Sequence, residues 1–331
     1  MKPLIQKLTE TFSPSGSEAA IRQVILEEIR PLADETQVDA LGNLIARKVS
    51  SRKNGKRLML AAHMDEIGLM ATHIDENGFI RFTSLGGVRP VALAGGRVRF
   101  MDGRRGIIGT DRLADLTRAP SLEQCFIDVG ATNSKDCPVK VGEVCAFERP
   151  FLDLGRRLVA KSMDNRIGCA VLIEAMRSLA SSPYELCFVF TTQEEVGTRG
   201  ATTSTFGLDP DLGLSVDVTD TGDTPRGSKM EVALGGGPAV KVKDAGMLSD
   251  PRIVAWMIHT AEKERLPYQR EVLLGGSTDA RAIQLARSGV PAGCLSIPCR
   301  YIHSPSEMVD YEDVQNSVKL LVALLRTPIT L

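Results

Sequence analysis

A chain of 331 residues, 43% hydrophobic and 24% charged, has the composition of a folded globular protein with room for about two domains, which excludes global disorder. Lys and Arg (40) balance Asp and Glu (41), so no broad positive field is available for nucleic acid or an anionic membrane, and a peptide or small molecule is the expected partner. No apolar run approaches the roughly 20 residues that span a bilayer, and the N-terminus turns polar too soon for a secretion signal. The cysteines (125, 137, 145, 169, 187, 294, 299) contain no C-x-x-C pair, so they read as buried thiols of a cytoplasmic protein. Any metal must then be held mainly by His, Asp and Glu.

Residues 17–30 place Ile21, Val24, Ile25 and Ile29 on one face and predict an amphipathic helix. LGNLIARK reads as a strand, and Leu58 to Ala62 form an apolar run typical of a strand buried on both faces, ending on His63. From Ile67 to Leu154 the texture changes to short β-rich runs broken by Gly, Asn, Asp and Pro, which predicts a small β-barrel or sandwich inserted into the main domain. Helix signals return with DNRIGCAVLIEAMRSLASS. The strand ELCFVFTT, the strand LGLSVDV, a long helix in DPRIVAWMIHTAEKERL, a helix around DARAIQLARSG, the strand AGCLSIP and a terminal helix then complete a β/α alternation. The expected fold is α/β, with residues 1–66 and 155–331 forming a discontinuous main domain around an insertion at 67–154. The Gly pairs 86–87, 95–96 and 275–276 and the triplet 235–237 lack any phosphate-loop context and read as turn or bulge glycines.

Several apolar strands end in candidate metal ligands: His63 and Asp65 after LMLAA, Glu194 and Glu195 after CFVFTT, Asp217 in LGLSVDV, and His303 beyond LSIP. Ligands in open α/β sheets gather beyond the carboxyl ends of the strands, so these residues should meet at one rim, joined by Asp164 where the helix after the insertion begins. Each alone has a plainer reading as a hydrogen-bonded His or a helix cap. Two tandem carboxylates at the end of a buried strand, however, repel unless cations compensate them. In His63-Met64-Asp65 the two-residue period puts both side chains on one side of an extended chain, so Asp65 is placed to accept the spare imidazole N–H of a metal-bound His63. Glu194 and Glu195 point in different directions, which suits one to metal binding and the other to general-base duty. His73 and His259 read as surface or packing residues, and Trp256 as core or interface.

The segments AAHMDEIGLM, SMDNRIG, TTQEEVGTRGA, SVDVTDTGD, GGSTDARAI and RYIHSPSEMV, in that order, resemble the glutamyl/tetrahedral aminopeptidase family of dinuclear metallo-aminopeptidases, a related branch of which is labelled endoglucanase. The resemblance implies a zinc-peptidase-like α/β/α sandwich with an inserted small β-barrel serving oligomerisation and substrate access. It implies His63 and Asp217 on one divalent ion, Glu195 and His303 on the other, Asp164 bridging, and Glu194 as catalytic base. Zn²⁺ is the expected ion, with Co²⁺ and Mn²⁺ compatible with the same donors. A homo-oligomer built from dimers into a tetrahedral dodecamer and peptide substrates are also implied. One departure is Gly275-Gly276-Ser277-Thr278-Asp279, where the family pattern has Gly-Gly-Thr-Asp.

Competing readings are a metal-dependent carboxypeptidase or N-acyl amide deacylase, a glycosidase, and a noncatalytic peptide-binding assembly. The insertion between His63 and Asp164 favours the aminopeptidase, because deacylase-like relatives carry their extra domain later. A glycosidase needs two carboxyls facing across a sugar, which adjacent Glu194 and Glu195 do not offer. Arg199 and Lys161 lie near the motifs and either favour acidic side chains or only balance the acidic ligands, so acidic, basic and aliphatic preferences all stay open.

Overall fold

The computed structural model describes residues 1–112 and 118–329. Its elements begin with helices α1 (Lys2–Glu10) and α2 (Ala19–Ile29) and strands β1 (Glu35–Val38), β2 (Leu44–Lys48) and β3 (Arg57–His63). Six strands follow: β4 (Gly68–Ile74), β5 (Ile80–Leu85), β6 (Arg97–Phe100), β7 (Arg105–Thr110), β8 (Cys125–Asp128) and β9 (Val144–Phe147). The chain returns through β10 (Leu152–Leu154) and β11 (Arg157–Ala160) to α3 (Met163–Ser178), β12 (Glu185–Thr191), α4 (Arg199–Leu208) and β13 (Leu212–Thr219). It ends with β14 (Ala239–Lys243), α5 (Pro251–Lys263), β15 (Gln269–Val272), α6 (Asp279–Gln284), β16 (Ala292–Arg300), β17 (Glu307–Asp310) and α7 (Tyr311–Arg326).

The centre of the 11-stranded main sheet is parallel, in the order β12-β3-β13-β16, with antiparallel strands on its flanks. These four strands are apolar along nearly their whole length because both faces are covered. Leu58, Leu60, Phe188, Phe190, Leu214 and Val216 point into a core shared with residues of α1, α2, α3, α5 and α7. Met59, Ala61, Cys187 and Val189, in the other phase of the same strands, pack with Leu208 at the end of α4 and Ile283 of α6. The alternation of one pleated strand therefore builds an α/β/α sandwich, the expected fold.

Strands β4-β5-β8-β7-β6-β9 form a closed barrel filled by Leu69, Ile80, Val98, Phe100, Ile127 and Phe147. Closure pairs every strand edge, which a small β unit cannot otherwise do. The barrel leaves the sheet just after His63, at the carboxyl end of β3. The chain comes back through β10 and β11, which pair with each other and extend the main sheet through β17, and reaches Asp164 immediately afterwards. Both junctions of the barrel therefore adjoin residues singled out above.

Helix α1 is absent from the sequence-based expectation. Its nine residues are too few to reveal a period, although Ile5 and Leu8 are fully buried against the main core. The helix expected around DARAIQLARSG is confined to Asp279–Gln284, because the chain turns back through Arg287 and Gly289, both at positive φ.

Candidate metal centre

Thr191 of β12 pairs with His63 of β3, so these two strands end level with each other. The neighbouring ladder runs from Leu212 opposite Leu58 to Ser215 opposite Ala61, and the same phase carries Asp217 toward His63. His63 Nε2 lies 3.8 Å from Asp217 Oδ1 and 2.9 Å from Asp164 Oδ1. His303 stands in the turn between β16 and β17, where positive φ at Tyr301 and His303 folds the chain back over the strand ends. Its Nε2 lies 3.3 Å from Asp164 Oδ2 and 3.2 Å from Glu195 Oε2. The two oxygens of Asp164 thus face two different imidazoles. Ligand atoms of His63, Asp164 and Asp217 fall within 4.8 Å of one another, as do those of Asp164, Glu195 and His303.

Glu194 belongs to neither group. Its Oε2 is 4.0 Å from His63 Nε2, beside the first group and outside direct bonding distance. Asp65 lies behind the centre. Its Oδ1 accepts the Glu194 backbone N–H at 3.0 Å, and its Oδ2 accepts the Glu195 N–H at 3.3 Å and the Ser15 hydroxyl at 2.6 Å. His63 Nδ1 is 3.2 Å from the Asp65 carbonyl and 3.4 Å from its Oδ1, so the main chain shares the contact expected of the carboxylate alone. Asp65 consequently orients both His63 and the Glu194-Glu195 backbone. Glu18 extends this arrangement by accepting the Gln193 N–H at 3.2 Å.

Burial works against charge on these groups. It raises the Glu195 carboxyl above its ordinary range and the Glu194 and Asp217 carboxyls well above theirs, with neighbouring acids adding to the shift. Burial also pulls down on His63 and His303, but the acids around them prevail. His63 rises well above its ordinary value, and His303 reaches about 12 through Asp164 and Glu195. Desolvation raises the Asp164 carboxyl, and hydrogen bonds to the two imidazoles outweigh it, leaving a net lowering. Among the described residues, Oε1 of Glu195 is buried with no hydrogen-bond partner. A compact set of N and O donors with excess acidic groups and an orphaned carboxylate oxygen fits divalent cations, which would neutralise what the protein leaves uncompensated.

The centre opens into a cavity of about 860 Å³. Arg199 and Lys161 do not line it. Arg199 is exposed and donates to Gln193, whereas Lys161 is fully buried in an ion pair with Glu66. The cations on the cavity wall are Arg89, Lys229, Lys241 and Arg281, of which Lys241 is held by Glu271 at 2.5 Å. Ser277 and Thr278 of the departing GGSTD segment also line it, while Asp279 turns away to accept the Thr191 hydroxyl. His73 and His259 are exposed on β4 and α5, and Trp256 is buried in the main core.

Sequence reasoning missed Gly86 and Gly87. They lie on the loop after β5 and press against the centre: a Cβ on Gly86 would come 2.7 Å from Glu195 Oε2, and one on Gly87 would come 2.5 Å from His303 Nδ1. The Gly-Gly pair was itself visible, but its closeness to ligands far along the chain was not.

A family model for M42 glutamyl aminopeptidase matches residues 42–320. A protein of Acetivibrio thermocellus, provisionally described as an aminopeptidase, is 43% identical over 97% of both chains. Among solved structures, an aminopeptidase from the archaeon Desulfurococcus kamchatkensis superposes with a TM-score of 0.94 at 39% identity, covering 99% of this chain and 94% of its own. The TET1 peptidase of Pyrococcus horikoshii, described as assembling into a tetrahedron or a large octahedral shell, gives 0.89 at 30% identity over 99% of both chains. The chain belongs to the M42 glutamyl aminopeptidase family.

Proposed function

We propose that this M42 family member removes N-terminal residues from peptides, using two divalent cations held by His63 and Asp217 on one side and Glu195 and His303 on the other, with Asp164 shared between them. The observation that supports this most is the division of Asp164, one carboxylate oxygen toward His63 and the other toward His303. When bound, such a pair of ions supplies Lewis acidity to the scissile carbonyl and acidifies water. Zn²⁺ suits these donors best, and Co²⁺ and Mn²⁺ are compatible with them.

The protein's own groups carry the proton. Glu194 reaches into the centre without belonging to either ligand set, so it takes the proton of the attacking water and returns it to the leaving amine. Asp65 fixes the Glu194 backbone and the His63 ring, so the base and the first ligand keep a constant separation. The acidic floor of the cavity suits the amino end of a peptide, while Arg89, Lys229 and Arg281 line the wall where the rest of the substrate would pass.

We assign the insertion at residues 67–154 to substrate access and assembly. The access role is supported by Gly87 and Arg89, which line the cavity. The relative described as assembling into a tetrahedron or an octahedral shell supports homo-oligomerisation, and the tetrahedral dodecamer built from dimers is our extension of it, which a solution mass tests. A cytoplasmic location fits the free cysteines and the lack, among described residues, of any helix long and apolar enough to cross a membrane.

The test is hydrolysis of aminoacyl p-nitroanilides and their N-blocked counterparts by chelator-stripped protein, before and after addition of Zn²⁺, Co²⁺ or Mn²⁺. Metal-restored cleavage confined to free amino termini is the expected result. Cleavage of N-acyl amino acids instead would replace this reading with a deacylase.

A further inference from the structure

Glu307 opens β17 opposite Ala160 of β11. It is 1% exposed and takes no part in either ligand group. Its Oε2 accepts the backbone N–H of Asp164 at 2.8 Å, and its Oε1 accepts the backbone N–H of His303, also at 2.8 Å. Asp164 lies four positions beyond Ala160, and His303 four positions before Glu307. The β11–β17 ladder therefore carries this carboxylate to the one place where it can bind both chain segments at once. Among the described residues no backbone–backbone hydrogen bond joins Asp164 to His303, and the turn that bears His303 has two residues at positive φ to hold in place.

We propose that Glu307 is a positioning residue of the metal centre, a carboxylate clamp that fixes Asp164 and His303 relative to each other through their main chains. The proposal rests on the ligand assignment given above. Asp65 is its counterpart on the other side, because it grips the N–H groups of Glu194 and Glu195 in the same manner. Two buried carboxylates thus set the spacing of the residues around the centre without themselves entering it. A carboxylate accepts charge-assisted bonds from both N–H groups, whereas a glutamine amide can present only one acceptor oxygen.

Wild type and Glu307→Gln are compared by metal content after dialysis in chelator-buffered Zn²⁺, by the visible spectrum of the Co²⁺-loaded forms, and by thermal melting of the metal-free forms. The clamp predicts binding of the second ion weakened about 10- to 100-fold, an altered Co²⁺ spectrum and a metal-free melt close to wild type. In a His303→Ala background the same substitution should cost little further affinity, because the clamp acts through His303. If Glu307→Gln fails to fold, Glu307→Asp keeps the charge but is one methylene too short for both N–H groups, and the same selective loss is expected of it. A variant that binds two ions with wild-type affinity and spectrum overturns the clamp alone. So does a loss that merely follows the melt and adds in full to His303→Ala. A wild type that binds no metal overturns the ligand assignment, and the clamp with it.

Discussion

Gly87 of the barrel loop lies against the imidazole of His303, so close that a Cβ there would stand 2.5 Å from Nδ1. His303 cannot easily yield, because its other ring nitrogen faces both Asp164 and Glu195. Gly87 does not have positive φ, so alanine there is acceptable to the backbone and tests space alone. Gly87→Ala should weaken the ion held by His303 by about 10- to 100-fold, as happens when groups that orient a ligand are disturbed. Calorimetric metal titration checks this, with a melt of the metal-free protein as the control.

Glu194→Gln separates base from ligand. Glu194 lies outside both ligand groups, so the variant should retain wild-type metal content while kcat falls by about 10² to 10⁴. Substantial turnover by a metal-loaded variant would move the base elsewhere.

Asp164→Asn should act on both ions together. Each oxygen of Asp164 faces a different histidine, and the amide offers only one acceptor oxygen and no charge. Metal affinity, read as content after dialysis, is expected to fall at both positions by more than the roughly 10- to 100-fold typical of outer partners. Loss of only one equivalent would show that Asp164 serves a single ion.

Asp223 provides a pH-dependent test away from the centre. Arg300 pairs with both its oxygens, at 2.9 and 2.6 Å, and Oδ2 also accepts the Leu234 N–H. Partial burial raises this carboxyl, but the Arg300 guanidinium prevails and brings it down to about 2. Because the folded value lies below the ordinary 3.8, the stabilisation is complete above about pH 4 and is lost as pH falls toward 2. The stability difference between wild type and Asp223→Asn should therefore be constant near neutrality and shrink on acidification below about pH 4, as read from denaturant midpoints. The tether also holds the segment carrying Ser228, Lys229 and Met230 against the cavity, so the variant should raise KM more than it lowers kcat.

Apolar patterning was enough to locate the strands that carry the chemistry. Continuous apolar runs at Leu58–Ala62 and in CFVFTT and LGLSVDV read as strands buried on both faces of a central sheet, and an open α/β sheet gathers His63, Glu194, Glu195 and Asp217 at its carboxyl rim. The texture change after Ile67 likewise pointed to a β unit, barrel or sandwich, and the folded chain closes it into a barrel. What the sequence could not express is proximity between segments remote along the chain. The division of Asp164 between two histidines, the clamp of Glu307 on both backbones and the press of Gly86 and Gly87 on Glu195 and His303 depend on how β11, β17 and the barrel meet. The same is true of Lys161 and Arg199, which stand beside the motifs in sequence and outside the cavity in space. Periodicity records which face of an element is buried, but contacts between elements are set by packing, and only the folded chain decides them.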